Sequence, residues 1–271
     1  MMRELVKEVK KYITLYLLFI KNCLIVQMEY RANFFISICI ECAFLFIKIL
    51  YVIVIFKVNV NINGLSPYAI LMFIGSYTIM TGIMDAIYFP NLTKIPNYIR
   101  NGDLDMLIIK PVSAQFIVTL RYIDFGLAIP NIVGGVIMVV VGWSKIGITF
   151  NFINIFGFIA FSIIGILIAY PILLFPFILS FWIVKTQAIQ DITWSLWDFN
   201  NMPMMIYGKW LQRVGIFAIP IFLITNFAPM FILDMLNGKY IIWAIIAPCL
   251  FIFLVRKFWN FAMKNYSSAS S

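Results

Sequence analysis

The chain has 271 residues, of which 63% are hydrophobic and 11% are charged, and its formal net charge is +9. A soluble domain is typically about 45–50% apolar, so this composition predicts a protein whose main solvent is lipid. The charged residues lie mostly at the ends of apolar stretches. Anionic headgroups and the positive-inside rule account for charges placed in that way, and they argue against a nucleic-acid-binding function.

The residue types that carry most enzyme chemistry are scarce. Histidine, the commonest metal ligand and general base, is absent from the sequence. Cys39 and Cys42 form a CxxC pair, but the pair lies inside an apolar stretch, where packing explains it better than a redox or zinc site. The G-x-x-x-x-G-K-[ST] motif that cradles ATP phosphates does not occur. We therefore predict a non-enzymatic chain that binds no cofactor or metal itself.

The pattern of charged and apolar residues over 1–31 predicts an amphipathic helix in the membrane interface. Charged residues open the segment, and the apolar run over 12–20 is too short to cross a bilayer. No small-residue cleavage site follows the apolar run, as a signal peptide would require. We expect the lysines of this helix to reach lipid phosphates.

Residues 32–264 predict an all-α integral membrane domain with six transmembrane helices, followed by a tail over 265–271. Five spans follow from long apolar stretches. These stretches cover about 33–56, 68–89, 114–141, 152–184 and 240–254.

The fifth span in chain order is ambiguous, because residues 186–233 are irregular. Hydropathy alone places it at about 214–233. The alternative places it at about 186–202 and follows it with a re-entrant pair of short helices. Pro203, Pro220 and Pro229 suit broken helices whose freed backbone groups are buried in protein.

The distribution of Lys and Arg predicts which side each loop faces. With six crossings, 14 of these residues fall on the side that holds both termini and the loop after span 2, against three on the other side. The positive-inside rule therefore predicts cytoplasmic termini and a multi-pass protein of the cell membrane. The 14 are Arg3, Lys7, Lys10, Lys11, Lys21, Arg31, Lys94, Arg100, Lys110, Arg121, Lys185, Arg256, Lys257 and Lys264, and the three are Lys57, Lys145 and Lys239.

The loop over 91–112 is a polar island between two apolar stretches. Its local signals predict two short helices joined by a tight turn. An ordered connecting loop without a partner is the alternative. The signals are Pro96 at the start of the first helix, Gly102 after Arg100 as its C-terminal cap, Asp103 as the cap of a second helix over 104–109, Asp105 in its first turn, Lys110 in its last turn and Pro111 as its stop.

Five charged residues lie within or at the edges of the predicted spans. A charge at mid-membrane costs about 2.5–3.5 kcal/mol, so each one needs a structural or functional reason. Glu41 and Lys48 share one helix face but lie about 10 Å apart along the axis, too far to pair directly. Asp85 lies near the island end of span 2, and Arg121 and Asp124 lie three apart at the start of span 3, close enough to pair. Structural ion pairing and a polar substrate path both remain open.

Two segments of the chain resemble a known family. The run IRNGDLDMLIIKPVSAQF, followed by Arg121, resembles the signature of ABC-2-type ABC exporter permeases. The run MPMMIYGKWLQRVGIFAIPIFLITNFAPMFIL resembles a second segment of the six-span subgroup identified as viologen or multidrug exporter permeases. Both segments agree in order and spacing, and Met202-Pro203 departs from the aromatic-Pro pair expected there.

The resemblance implies roles for the predicted elements. Residues 1–31 would be the connecting helix, the island would hold a coupling helix seated in a groove of a separate ATPase, and 186–233 would be span 5 plus extracellular re-entrant helices. ATP and Mg would bind to the ATPase dimer. The permease would pair with an identical or related permease and export an amphiphilic, drug-like or lipid-like substrate. The implied coupling residues are Pro96, Arg100, Gly102, Asp103, Leu104, Asp105, Lys110 and Pro111.

Other functions remain as alternatives. A channel or secondary transporter would need a filter-like polar run or an inverted repeat, and the sequence presents neither convincingly. A membrane enzyme would need clustered catalytic residues. An ABC permease that acts in assembly or sensing stays open, and the sequence leaves the substrate unspecified.

Overall fold

The computed structural model describes residues 2–58, 64–183 and 186–266, and helices make up most of this part of the chain. The all-α class is therefore confirmed. Short π-helices cover Met84–Tyr88 and Val214–Ala218, and 3₁₀ turns cover Leu179–Phe181, Met204–Ile206 and Ile221–Leu223. The α-helices in the described ranges are α1 Met2–Glu29, α2 Arg31–Val58, α3 Pro67–Ile83, α4 Phe89–Leu92, α5 Ile95–Asn101, α6 Asp103–Ile108, α7 Ala114–Leu120, α8 Phe125–Ile146, α9 Phe152–Ile178, α10 Thr186–Asp198, α11 Lys209–Arg213, α12 Phe227–Ile232 and α13 Gly238–Lys264.

Five helical stretches in the described residues are long and apolar enough to cross a membrane. They correspond to predicted spans 1 to 4 and to the last span. The count of six crossings stays a prediction, because no fifth-span helix of comparable length exists there. The five stretches are Arg31–Val58, Pro67–Asn101, Phe125–Ile146, Phe152–Phe181 and Gly238–Lys264.

The apolar stretch over 68–89 predicts that span 2 ends just before Pro90, and that prediction is wrong. A π-turn in which the Phe89 N–H donates to the Met84 carbonyl precedes Pro90, and the helix continues as α4. Pro90 has no N–H, so the carbonyl of Ala86 four residues earlier loses its helical donor. The backbone N–H of Asp124 donates to that carbonyl at 2.9 Å. The proline is tolerated because a distant segment replaces its missing hydrogen bond.

Span 3 is not one helix over 114–141. The structure divides it into α7 and α8, and residues 121–124 between them are non-helical. The side chain of Asp124 accepts hydrogen bonds from Gly126 N and Leu127 N and caps the start of α8. We call residues 121–124 the joint.

Helices α3 and α8 form the tightest pair in the bundle, and glycines make this possible. A Cβ atom on Gly135 would lie 2.7 Å from the Gly75 carbonyl oxygen, and one on Gly75 would lie 2.8 Å from the Gly135 oxygen. Gly142 likewise faces the backbone of Tyr68. The two backbones are in direct contact, as in small-residue packing between membrane helices.

Residues 214–233 form no single span. The π-helix Val214–Ala218, a 3₁₀ turn and α12 follow one another there, because Pro220 and Pro229 interrupt the hydrogen-bond ladder. The placement of span 5 at 214–233 by hydropathy is therefore wrong. Helix α10 occupies the alternative position, but its 13 residues reach only about 20 Å of the roughly 30 Å hydrocarbon core.

The short helices from α10 to α12 connect the end of α9 to the start of α13. Helices α9 and α13 lie side by side at one end, where the rings of Phe181 and Trp259 are 5.8 Å apart. At the other end, the Trp243 indole donates to the Ile216 carbonyl at 2.7 Å. The chain must therefore return between α9 and α13, and α10 with the segment up to α12 makes this return.

The N-terminal helix, the island and the end of α13 meet at one end of the bundle. Lys11 Nζ donates to the Pro111 carbonyl at 2.6 Å, and Arg256 Nη1 donates to Gln115 Oε1 at 2.6 Å. These contacts agree with the predicted shared side of the termini and the island. The assignment of that side to the cytoplasm stays a prediction.

We predict that Gly135→Ala destabilises the protein by about 1–3 kcal/mol, because the added methyl group forces α3 and α8 apart. Thermal unfolding in detergent measures the effect. The matched control is Gly134→Ala, where the atoms nearest to the new methyl belong to the side-chain end of Leu45 and not to a backbone. Equal stability of the two variants would contradict the close backbone packing.

Candidate functional site: the coupling elbow, the joint and an intramembrane polar cluster

The island folds into a helical elbow formed by α5, Gly102 and α6. Gly102 has φ 77° and ends α5 in the left-handed conformation, so the predicted C-terminal cap is confirmed. The prediction that Asp103 caps the second helix is wrong. Asp103 is the first residue of α6, and no side chain caps that end, because Gly102 already supplies the boundary residue. Pro96 is the second residue of α5, one position later than predicted.

The inner side of the elbow is packed against the protein. Leu104 is 1% exposed and Pro96 is also buried, so both shape the elbow from within and present no surface to a partner. Asp105 lies near Tyr266, which follows α13. Burial and, secondly, the Asp105 carboxylate raise the pKa of the Tyr266 hydroxyl.

The outer side of the elbow carries an exposed apolar patch. Met106 is 69% exposed and Ile109 is 78% exposed. We call these two residues the elbow patch, and sequence reasoning missed them. Their positions offered a signal for exposure. Leu104 and Leu107 occupy the buried side of the six-residue helix α6, so the other apolar side chains nearby cannot all be buried as well. Exposed predicted residues surround the patch: Arg100, Asp103, Lys110 and Pro111.

Helix α7 connects the elbow to the bundle. Gln115 Nε2 donates to the Tyr170 hydroxyl of α9 at 2.9 Å, and the Thr119 hydroxyl lies 3.2 Å from the same oxygen. Arg256 of α13 donates to Ser113 Oγ as well as to Gln115. Because Gln115 and Thr119 are buried and these contacts satisfy one another, α7 is held to α9 and α13 together.

Helix α1 runs beside the same segment. The Ser113 N–H donates to the Tyr12 hydroxyl at 3.1 Å, and the rings of Tyr12 and Phe116 are 4.9 Å apart. Further along, Phe19 also approaches Phe116. Helix α1 therefore follows α7 from the elbow towards the joint.

The joint is held by side-chain amides on both sides. Asn91 is fully buried, donates to the Tyr122 carbonyl at 2.7 Å and accepts from the Tyr122 N–H at 2.8 Å. Gln27 of α1 donates to the Ile123 carbonyl at 2.6 Å and accepts from the Phe125 N–H at 3.0 Å. Each side-chain amide makes two hydrogen bonds with the backbone, one to an N–H and one to a carbonyl that α7 and α8 leave unpaired.

The joint separates two residues that were predicted to pair. Arg121 and Asp124 do not share a helix, so their spacing does not bring them together as helical neighbours. Asp124 caps α8, whereas the Arg121 guanidinium lies 5.3 Å from the centre of the Tyr122 ring. The helical pairing of Arg121 with Asp124 is therefore wrong.

A polar cluster lies where α2 meets α8 inside the bundle. Asn131 is fully buried and donates to Glu41 Oε2 at 2.6 Å, and Lys48 Nζ donates to Asn131 Oδ1 at 3.3 Å. Glu41 and Lys48 therefore do not pair directly, as expected, but one amide bridges them. Asp85, in the π-helix of span 2, lies within electrostatic range of both. Sequence reasoning missed Asn131, because a single Asn after Pro130 carries no charge signal.

This arrangement can transmit movement. The elbow patch faces outward, α7 links it to α9 and α13, and the joint links α7 to α8. Helix α8 then carries Asn131 into the polar cluster. Each step is a hydrogen-bonded or packed contact between described residues, so a displacement of the elbow has a continuous physical route into the bundle.

We predict that Asn91→Leu destabilises the protein by about 2–5 kcal/mol, because it leaves the Tyr122 N–H and carbonyl buried without partners. Thermal unfolding in detergent measures the loss. The control is Asn97→Leu, which removes an exposed contact with Arg100 and should change stability by less than about 0.5 kcal/mol. Indistinguishable unfolding curves for the two variants would argue against the amide clasp.

Comparison with known proteins places the chain in a family. The sequence model described as "ABC-2 family transporter protein" matches residues 42–270, which cover most of the chain. No curated protein and no solved structure matches it. Members of this family are membrane transport components of ABC transporters and are not themselves catalytic. The match includes the elbow, the joint, and Lys48 and Asn131 of the polar cluster, and the chain therefore belongs to the ABC-2 family of transporter proteins.

Proposed function

We propose that this chain is the permease subunit of an ATP-driven exporter and that a separate ATPase docks on the elbow. The elbow patch is the observation that carries the proposal. Met106 and Ile109 are exposed, whereas Leu104 and Leu107 of the same segment are buried. A connecting loop has no need for two exposed apolar side chains close together, whereas a docking surface does.

The contacts behind the patch support a coupling role. When the ATPase subunits close around ATP, the elbow is pushed, and α7 passes the displacement to α9 and α13. The joint passes it to α8. The permease itself contributes no hydrolysis, and ATP and Mg are bound by the ATPase chains.

The polar cluster is the proposed substrate-facing element. Glu41, Lys48 and Asn131 place charge and hydrogen-bonding groups beside the apolar surface of α2. A polar group surrounded by apolar side chains suits an amphiphilic, drug-like or lipid-like substrate, which we propose is moved outward. The sequence and the fold support this class and do not favour one compound.

Helix α2 is also the proposed contact with a second permease. Most of its apolar side chains are exposed, among them Phe35, Phe44 and Ile47. An identical or related permease would cover this face and place two polar clusters opposite each other. In the same proposal both termini are cytoplasmic in the cell membrane, and the segment from α11 to α12 forms extracellular re-entrant helices.

We predict that Ile109→Asp lowers ATPase co-purification and substrate-stimulated ATP hydrolysis at least about tenfold, because it places a charge in the apolar docking contact. The control is Ile109→Leu, which keeps the patch apolar and should retain both activities. Full association and stimulation in Ile109→Asp would count against docking at the elbow. An ATP-independent, vanadate-insensitive flux would instead support a channel or secondary transporter.

We predict that Glu41→Gln changes resistance to transported compounds without lowering expression. The amide keeps an oxygen that accepts from Asn131, so the hydrogen bond survives while the negative charge is lost. Resistance profiles and membrane protein levels of the two forms give the comparison. Unchanged profiles at normal expression would remove Glu41 from the substrate path.

A further inference from the structure

A cavity of about 430 Å³ lies between α1, the turn after α4 and the joint. Phe19 and Val26 of α1 form one wall, and Lys94, Arg121 and Tyr122 form the other. Its volume falls in the range of about 300–1,000 Å³ that is usual for small-ligand sites. The joint lines this cavity, but the coupling role proposed above for the joint does not use the cavity itself.

Two cations meet in the cavity around one aromatic ring. Lys94 Nζ lies 3.2 Å from the centre of the Tyr122 ring, and Arg121 Cζ lies 5.3 Å from it. The ring face attracts each cation, but their mutual repulsion remains in a half-buried space. Such a pair is stabilised by an anion that contacts both.

The carboxylate that lines the cavity is already engaged. Asp124 Oδ1 accepts from the Gly126 N–H at 3.0 Å and from the Leu127 N–H at 3.3 Å. Its charge therefore interacts first with the start of α8. The cavity as a whole keeps a positive balance beside an apolar wall.

The surroundings point to lipid as the source of the anion. Helix α1 is amphipathic, and next to the cavity it exposes Leu18 and Ile25 while Lys21 is also exposed. Such a helix lies at the boundary between headgroups and acyl chains. A cavity with cations on one wall and apolar side chains on the other matches a phosphate attached to a hydrocarbon chain.

We propose that this cavity binds the phosphate of an anionic phospholipid. Lys94 and Arg121 contact the phosphate oxygens, and Phe19 and Val26 contact the start of the acyl region. A soluble phosphate offers the same anion without the apolar part. The bound lipid bridges α1 and the joint, so it stabilises the segment on which the elbow is mounted. The site does not depend on ATPase docking.

The test uses the purified, delipidated full chain in neutral detergent. Thermal unfolding is measured with added phosphatidylglycerol, with phosphatidylcholine, and with inorganic phosphate or glycerol phosphate at millimolar concentration. We expect phosphatidylglycerol to raise the unfolding temperature by several degrees and the other additions to have little effect. An equal rise with soluble phosphate would overturn the lipid assignment, and a rise with phosphatidylcholine equal to that with phosphatidylglycerol would overturn the anion site.

Variants locate the effect. Arg121→Gln and Lys94→Gln should each weaken phosphatidylglycerol binding about tenfold, since each removes a charge-assisted contact. Lys21→Gln is the matched control, because it removes an exposed lysine of α1 outside the cavity lining, and it should keep the full shift. Arg121→Lys retains the charge and should retain most of the shift if Arg121→Gln fails to fold. Equal shifts in all of these variants would overturn the proposal.

Discussion

The structure depends on hydrogen-bond partners for one stretch of backbone that lies outside the helices. Residues 121–124 leave the helical ladder between α7 and α8, and a buried N–H or carbonyl without a partner costs about 1–3 kcal/mol in a membrane protein interior. Asn91, Gln27 and the Ala86 carbonyl supply the missing partners from two other helices. The break therefore holds span 2, α1 and α8 together, and the elbow is fixed in position on this shared contact.

Local chemistry predicted the parts of this architecture that depend on near neighbours. Long apolar stretches identified five membrane helices, and Gly102 identified the turn of the elbow, because a left-handed residue has a strong glycine preference. For residues 186–233 the sequence left two positions for span 5. The structure excludes a single helix over 214–233, because this region contains α10 followed by a series of short helices. A hydropathy window averages over prolines and cannot show that Pro220 divides an apolar stretch.

The elements that the sequence did not reveal depend on distant partners. Asn91 and Tyr122 are 31 positions apart, and Gln27 and Ile123 are 96 apart. Nothing within a helical turn of Asn91 indicates that its amide pairs with a backbone segment. The same is true of Asn131, whose partners Glu41 and Lys48 were recognised as charges while the bridging residue was not. The Gly102 cap could be predicted from its near neighbours, but the polar bridges between distant residues could not.

The contact between α3 and α8 has a mechanical consequence. Where Gly75 and Gly135 meet backbone to backbone, neither residue has a side chain that could change rotamer and absorb movement. The pair therefore behaves as a single stiff rod with the elbow at one end. Helix α2 is joined to the rod by the adaptable hydrogen bonds of Asn131 rather than by rigid packing alone. In a conformational cycle α3 and α8 would tilt as one body. An opening in the bundle would then form at the contact between α2 and α8.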